Sequence, residues 1–133
     1  MIPRFNETGY LPPGVHRATI EEIEARFGRR SEVRRAQMDS VRWMVELAVR
    51  AGVERIVLNG SFVTDIMEPN DVDCVLLVRA DSLKDPAAED ALFQGLPFLE
   101  VALVRPEEFN YFVNRFFAFD RDREAKGMVE VTL

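Results

Sequence analysis

Two aspartates, Asp71 and Asp73, stand one residue apart at the start of an apolar run. In a strand, side chains alternate between the two faces, so both carboxylates are expected on the same side. At about 6–7 Å apart, their repulsion is about 2–3 kcal/mol at an effective dielectric near 20. Arginine partners, solvent at a strand end or a divalent cation would each offset it. Mg²⁺ suits such a pair because it prefers carboxylate oxygens and keeps positions for water and phosphate.

A glycine-serine pair, Gly60 and Ser61, directly follows the preceding apolar run, residues 55–59. Small residues at the end of a strand let backbone N–H groups and a hydroxyl approach a phosphate closely, especially where a helical turn begins. An ordinary tight turn would use the same residues. The two aspartates that follow the pair favour a phosphate-binding turn over an ordinary one.

The spacing is Gly-Ser, nine residues, Asp, one residue, Asp, then an apolar strand. This pattern resembles the nucleotidyltransferase motif of the DNA polymerase beta superfamily. The resemblance implies that Ser61 hydrogen-bonds the β- or γ-phosphate of a nucleoside triphosphate and that Gly60 leaves room for it. It also implies that Asp71 and Asp73 bind two Mg²⁺ ions, which neutralise the triphosphate and activate an attacking hydroxyl.

Active members of that superfamily carry a third carboxylate on a neighbouring strand. Glu100, an isolated acid in the apolar stretch 98–104, is the residue here that corresponds to it, as a third metal ligand and as the base. Burying a lone carboxylate is costly unless it meets a cation. Glutamate is one methylene longer than the usual aspartate, and an edge-strand residue facing water is the alternative.

Residues 3–28, 59–77 and 117–131 also resemble, together and in that order, a family of small bacterial nucleotidyltransferase-like proteins of unknown function. That resemblance covers nearly the whole chain. It implies a fold but assigns no role.

The elements that must position these residues follow from caps and periodicity. Helices are predicted from Thr19 to Phe27, from Ser31 to about Ala51, before Gly95 and after Pro106; strands are predicted at 55–59, 73–78 and 98–104 and from Met128. This alternation predicts an α+β (α/β) fold, a nucleotidyltransferase-like mixed sheet with helices mainly on one face. Residues 1–16 are predicted to form an irregular arm, and residues 17–133 a single domain.

Composition narrows the class of protein. The net charge of −6 argues against broad nucleic-acid binding, and no apolar run approaches the roughly 20 residues of a membrane helix. The polar, proline-rich start and one cysteine, Cys74, which is expected in the core, predict a cytoplasmic protein. Two basic features each have two interpretations. The arginines at 26, 29, 30, 34 and 35 form either a solvated helix junction or a docking site for a phosphate-bearing substrate or an acidic partner protein. Lys126 either places its ammonium group near a phosphate or belongs to the turn before the last strand.

The predicted function is transfer of a nucleoside monophosphate from an NTP substrate to a protein or RNA hydroxyl, with Mg²⁺ as cofactor and pyrophosphate as product. By analogy of fold alone, the setting would be a toxin-antitoxin or related defence pair. A homodimer or partner protein would supply the second wall that larger relatives carry. The alternatives are an inactive binding protein, as antitoxin or adaptor, and a nucleotide sensor.

Overall fold

A computed structural model describes residues 2–79, 84–116 and 118–133, apart from the Phe116 side chain. Within these ranges the chain forms five strands and four α-helices: β1 (Gly14–Ala18), α1 (Ile20–Phe27), α2 (Glu32–Ala51), β2 (Arg55–Asn59), β3 (Val72–Leu77), α3 (Pro86–Gln94), β4 (Leu99–Val104), α4 (Pro106–Tyr111) and β5 (Gly127–Val131). A 3-10 turn, Ser61–Val63, follows β2, and a π-helical turn, Phe112–Phe116, continues α4.

The strands form one mixed sheet in the order β1-β5-β2-β3-β4. β1 pairs with β5 and β3 with β4 in parallel, whereas β2 is antiparallel to both of its neighbours. The predicted α+β class is therefore confirmed. β4 lies at the edge of the sheet, which leaves one side of the strand that carries Glu100 open.

Local signals set the helix ends where the sequence predicts them. Thr19 and Glu22 form a reciprocal capping box at the start of α1. The Ser31 hydroxyl accepts the Arg34 N–H at the start of α2, and Gly52 ends that helix in the left-handed conformation, with φ 85°. The predicted strand at 98–104 begins one residue later, after Phe98, whose φ of 66° lies outside the strand region.

Each face of the sheet carries its own apolar cluster. Ile56, Leu58, Cys74 and Leu76 point to one face and pack with α1, α2 and α3. The intervening residues of β2 and β3 point to the other face, where they pack with Phe109 of α4 and with residues of the turn that follows it. The described helices thus lie mainly on one face, and α4 packs on the other.

The predicted irregular arm over residues 1–16 is wrong for residues 14–16, which form part of a strand. Residues 14–16 belong to β1, which pairs in register with β5 from Gly14 opposite Gly127 to Ala18 opposite Val131. Leu11 is fully buried, and its carbonyl accepts the Gly127 N–H at 3.0 Å. A strand that pairs with the last strand of the chain carries little local signal, because its partner lies more than 100 residues away.

Candidate functional site

The end of β2 brings Gly60 against the Asp73 side chain. Gly60 has φ 82°, a conformation that side chains with a Cβ rarely adopt. A Cβ at this position would lie 2.4 Å from the Asp73 Oδ2 atom. A side chain at this position would therefore strain the backbone and displace the Asp73 carboxylate. Ser61 begins the 3-10 turn that follows, and it is half-buried.

Strand register brings Glu100 beside Asp73. Asp73 lies opposite Asn59 in the antiparallel pair with β2 and opposite Glu100 in the parallel pair with β4. Residues that are directly opposed on neighbouring strands share a face, and the strands lie about 4.8 Å apart. Glu100 is exposed and Asp73 is half-buried. The two acids are therefore neighbours on one face of the sheet, with Glu100 on the edge strand.

The charged form of the Asp73 carboxylate is destabilised by its surroundings. Its pKa is raised from an ordinary 3.8 to about 6, first by burial, then by the charge of Glu100 and a hydrogen bond to it, with a smaller contribution from Asp71. Lys126 opposes the rise. Two neighbouring carboxylates repel each other when both are charged, and a bound cation would offset that repulsion.

Asp71 is less well placed than the pattern predicted. It precedes β3 and is exposed, although its charge still acts on Asp73. Among the described residues, no three histidine, cysteine, aspartate or glutamate side chains form a ready metal-ligand group. The Asp73–Glu100 pair presents the hard oxygen donors that Mg²⁺ prefers, so these two residues fit the ion as partial ligands. Asp71 would have to turn toward them to join.

A buried arginine fixes the loop that carries the glycine-serine pair. Arg34 of α2 is fully buried, and its guanidinium donates to main-chain carbonyls. The shortest of these bonds are 2.7 Å to Phe62 O, 2.9 Å to Thr64 O and 2.5 Å to Ile66 O. Burial lowers the Arg34 pKa to about 10. The loop after Gly60 is thus anchored from the helix behind it by a charge surrounded with carbonyl dipoles.

The arginine cluster is largely structural, so the docking interpretation loses its main residues. Arg26 donates to the carbonyls of Ile2 and Pro3, and Arg29 pairs with Glu24 at 3.2 Å. Sequence analysis missed the role of Arg34. A signal existed, because Arg34 precedes Met38 by four residues and so continues the apolar stripe of α2.

Two further polar residues lie at this end of the sheet. Asn59 is 1% exposed, and both polar atoms of its carboxamide lack a hydrogen-bond partner in the described part of the chain. Lys126, directly before β5, is half-buried and close enough to Asp73 for their charges to interact. Neither was assigned to the site from sequence, since both come together through the pairing of β2 with β3 and β5.

The Cys74 thiol lies in the core, as predicted. It is buried, it forms no disulfide, and burial raises its pKa far above the ordinary value. The thiol is therefore protonated and belongs to the core rather than to the site.

A family comparison places the chain without assigning its activity. Residues 3–132 match the DUF6932 family, described as a family of unknown function, and the chain belongs to that family. No curated protein matches it significantly, and neither does any solved structure. None of the helices in the described ranges is long and apolar enough to cross a membrane. The expectation of a family of unknown function is confirmed.

Proposed function

We propose that the chain is a Mg²⁺-dependent nucleotidyltransferase that moves a nucleoside monophosphate from an NTP to a hydroxyl of a protein or RNA. The observation that carries the proposal is the direct opposition of Asp73 and Glu100 on neighbouring strands, with Gly60 packed against Asp73. Two neighbouring acids destabilise a fold through charge repulsion unless a bound cation offsets it. The glycine-serine turn lies directly against Asp73, so its backbone N–H groups and the Ser61 hydroxyl are near the proposed metal ligands.

In the proposed reaction, the acceptor oxygen attacks the α-phosphorus in line. The new P–O bond forms as the bond to the β-phosphate oxygen breaks, and pyrophosphate leaves. The hydroxyl proton passes to a carboxylate of the site, for which Glu100 is suited because it is exposed to an incoming acceptor. Bound Mg²⁺ would supply neutralisation of the phosphate charge and activation of the hydroxyl. Asp73 and Glu100 would hold it, with Asp71 as the third ligand.

Transfer of label tests the proposal. The protein is incubated with each α-labelled NTP, Mg²⁺ and cell lysate, alongside Asp73→Asn and the control Asp90→Asn, which changes an exposed acid of α3. Label should reach protein or RNA with the wild type and with the control and be lost with Asp73→Asn. Label that persists in Asp73→Asn, or that appears with none of the three proteins, contradicts the enzyme.

One observation favours a second candidate, a protein that binds a nucleotide without transferring it. In the described residues the three acids do not close into a metal-ligand group, and Asp71 and Glu100 are both exposed. A sensor, or an antitoxin or adaptor that kept the scaffold, would bind NTP with Mg²⁺ and release it unchanged. Equilibrium binding of NTP without label transfer would decide for this candidate.

A further inference from the structure

Lys126 reaches the candidate site through the last strand. β5 runs antiparallel to β2, so the start of β5 lies toward the end of β2, where Gly60 begins the turn. The Lys126 N–H donates to Ala118 O at 2.9 Å, which holds the residue in place on its main-chain side. Lys126 and Gly60 therefore both neighbour Asp73, one through its charge and one through direct packing.

The ammonium group of Lys126 interacts with the described residues only through charge. It is half-buried, yet it forms no hydrogen bond or ion pair with the other residues that the structure describes. The two acids whose charges act on it are Asp73 and Asp120. Asp120 is already occupied, because it accepts the Tyr10 hydroxyl at 2.8 Å and two main-chain N–H groups of its own turn. Asp73 lies directly opposite Glu100, a second acid whose charge acts on it.

Asn59 gives an independent sign that this corner is built for a ligand. Its carboxamide is buried on the face that Asp73 shares, and both its polar atoms are without partners in the described chain. A buried polar group without a partner costs about 1–3 kcal/mol. Native chains retain such groups where water, an ion or a ligand completes them.

We infer that the Lys126 ammonium binds a phosphate oxygen of the polyphosphate chain, on the side of Asp73 where Gly60 lies. This assignment rests on the proposed function and names a residue that binds the substrate. Asp71, Asp73 and Glu100 make the corner acidic, so a polyanion needs cations there besides Mg²⁺. Lys126 supplies a positive charge with three N–H donors, none of which is bonded to another residue that the structure describes, and this suits phosphate oxygens.

Calorimetry with tripolyphosphate tests the inference without requiring turnover. The chain contains two lysines, and the exposed Lys84 provides the matched control. In the presence of Mg²⁺, Lys126→Met should weaken tripolyphosphate and NTP binding by about tenfold to a hundredfold, as expected for a lost charge-assisted hydrogen bond. Lys84→Met should bind like the wild type, and Lys126→Arg should keep part of the affinity. Lys126→Gln, which keeps a polar tip, gives the same comparison if the methionine variant folds poorly.

A second readout separates binding from structural support. Mg²⁺ alone should bind Lys126→Met at least as tightly as it binds the wild type, because a neighbouring positive charge has been removed. If Lys126 only supported the fold, both Mg²⁺ and tripolyphosphate binding would weaken. Equal polyphosphate binding by the wild type and Lys126→Met overturns the assignment of Lys126 but leaves the proposed function standing. Absence of polyphosphate and NTP binding by the wild type overturns it together with the proposed function.

Discussion

Replacing Asp73 by asparagine should make the metal-free protein more stable. The carboxylate is half-buried and lies beside Glu100, and its pKa is raised from 3.8 to about 6. Each tenfold change in proton affinity is worth about 1.4 kcal/mol, so the rise corresponds to about 3 kcal/mol of penalty on the charged form. Partial exposure screens this, which leaves about 1–2 kcal/mol. Asparagine has the same shape, and its N–H can donate to Glu100, so the packing against Gly60 is retained.

The pH dependence of the wild type follows from the same shift. Because the pKa of Asp73 is higher in the folded chain than in the unfolded one, the folded chain binds the proton first as pH falls. The contribution of Asp73 to the free energy of unfolding therefore rises as pH falls from about 6 toward 3.8, and it is most unfavourable above 6. Asp73→Asn should remove this part of the pH profile and gain most at pH 8.

Urea unfolding at pH 8 in EDTA, with and without an excess of Mg²⁺, measures both effects. Asp73→Asn should gain about 1–2 kcal/mol without the ion and lose the stabilisation that Mg²⁺ gives the wild type. The matched control is Asp71→Asn, which neutralises an exposed acid and should change the metal-free stability by less than about 0.5 kcal/mol. If Asp73→Asn is no more stable than the wild type in EDTA, Asp73 carries no electrostatic strain and its assignment to a cation site loses its physical basis.

Three further substitutions, each measured by urea unfolding, test contacts that hold the site loop, the Gly60 turn and the Arg55–Glu130 ion pair in place. Arg34→Met should lower the free energy of unfolding by about 3–5 kcal/mol, because several buried carbonyls lose their donor, whereas the exposed Arg35→Met should change it by less than about 0.5 kcal/mol. Gly60→Ala should cost about 2–4 kcal/mol and abolish Mg²⁺ binding, since it combines backbone strain with a clash on the carboxylate. Gly95→Ala, strained but with open space around it, should cost about 1–2 kcal/mol and leave Mg²⁺ binding intact; equal effects of the two would refute the clash. Arg55→Met should cost about 2–3 kcal/mol, because it leaves a buried carboxylate of β5 without its bidentate partner, and an unchanged stability would show that this pair contributes nothing.

Most elements of the fold could be predicted because their signals are local. The capping box at Thr19, the cap at Ser31 and the left-handed Gly52 set helix ends through contacts within a few residues. β2 was predicted at its observed bounds. β1 could not be predicted in the same way, since its residues become a strand only by pairing with β5 at the far end of the chain.

Some residues of the candidate site could likewise be identified from local sequence, whereas others depend on the pairing of distant strands. Gly60 and Asp73 were identified by their spacing in one short stretch, and a tight turn joined to an antiparallel strand brings such residues together. Glu100 was named by resemblance, and its position beside Asp73 depends on β4 pairing in parallel with β3. Lys126 was left open between two interpretations because its distance from Asp73 depends on β5 lying next to β2.

The sequence by itself therefore determined which residue types could do chemistry and which local elements carry them, because caps, turns and alternation act over a few residues. The tertiary structure alone decided which of those residues meet. Strand order sets Asp73 between Asn59 and Glu100, and the burial of Arg34 turns a charge expected at the surface into the anchor of the loop. Both outcomes depend on contacts between distant parts of the chain, for which a single sequence carries no short-range signal.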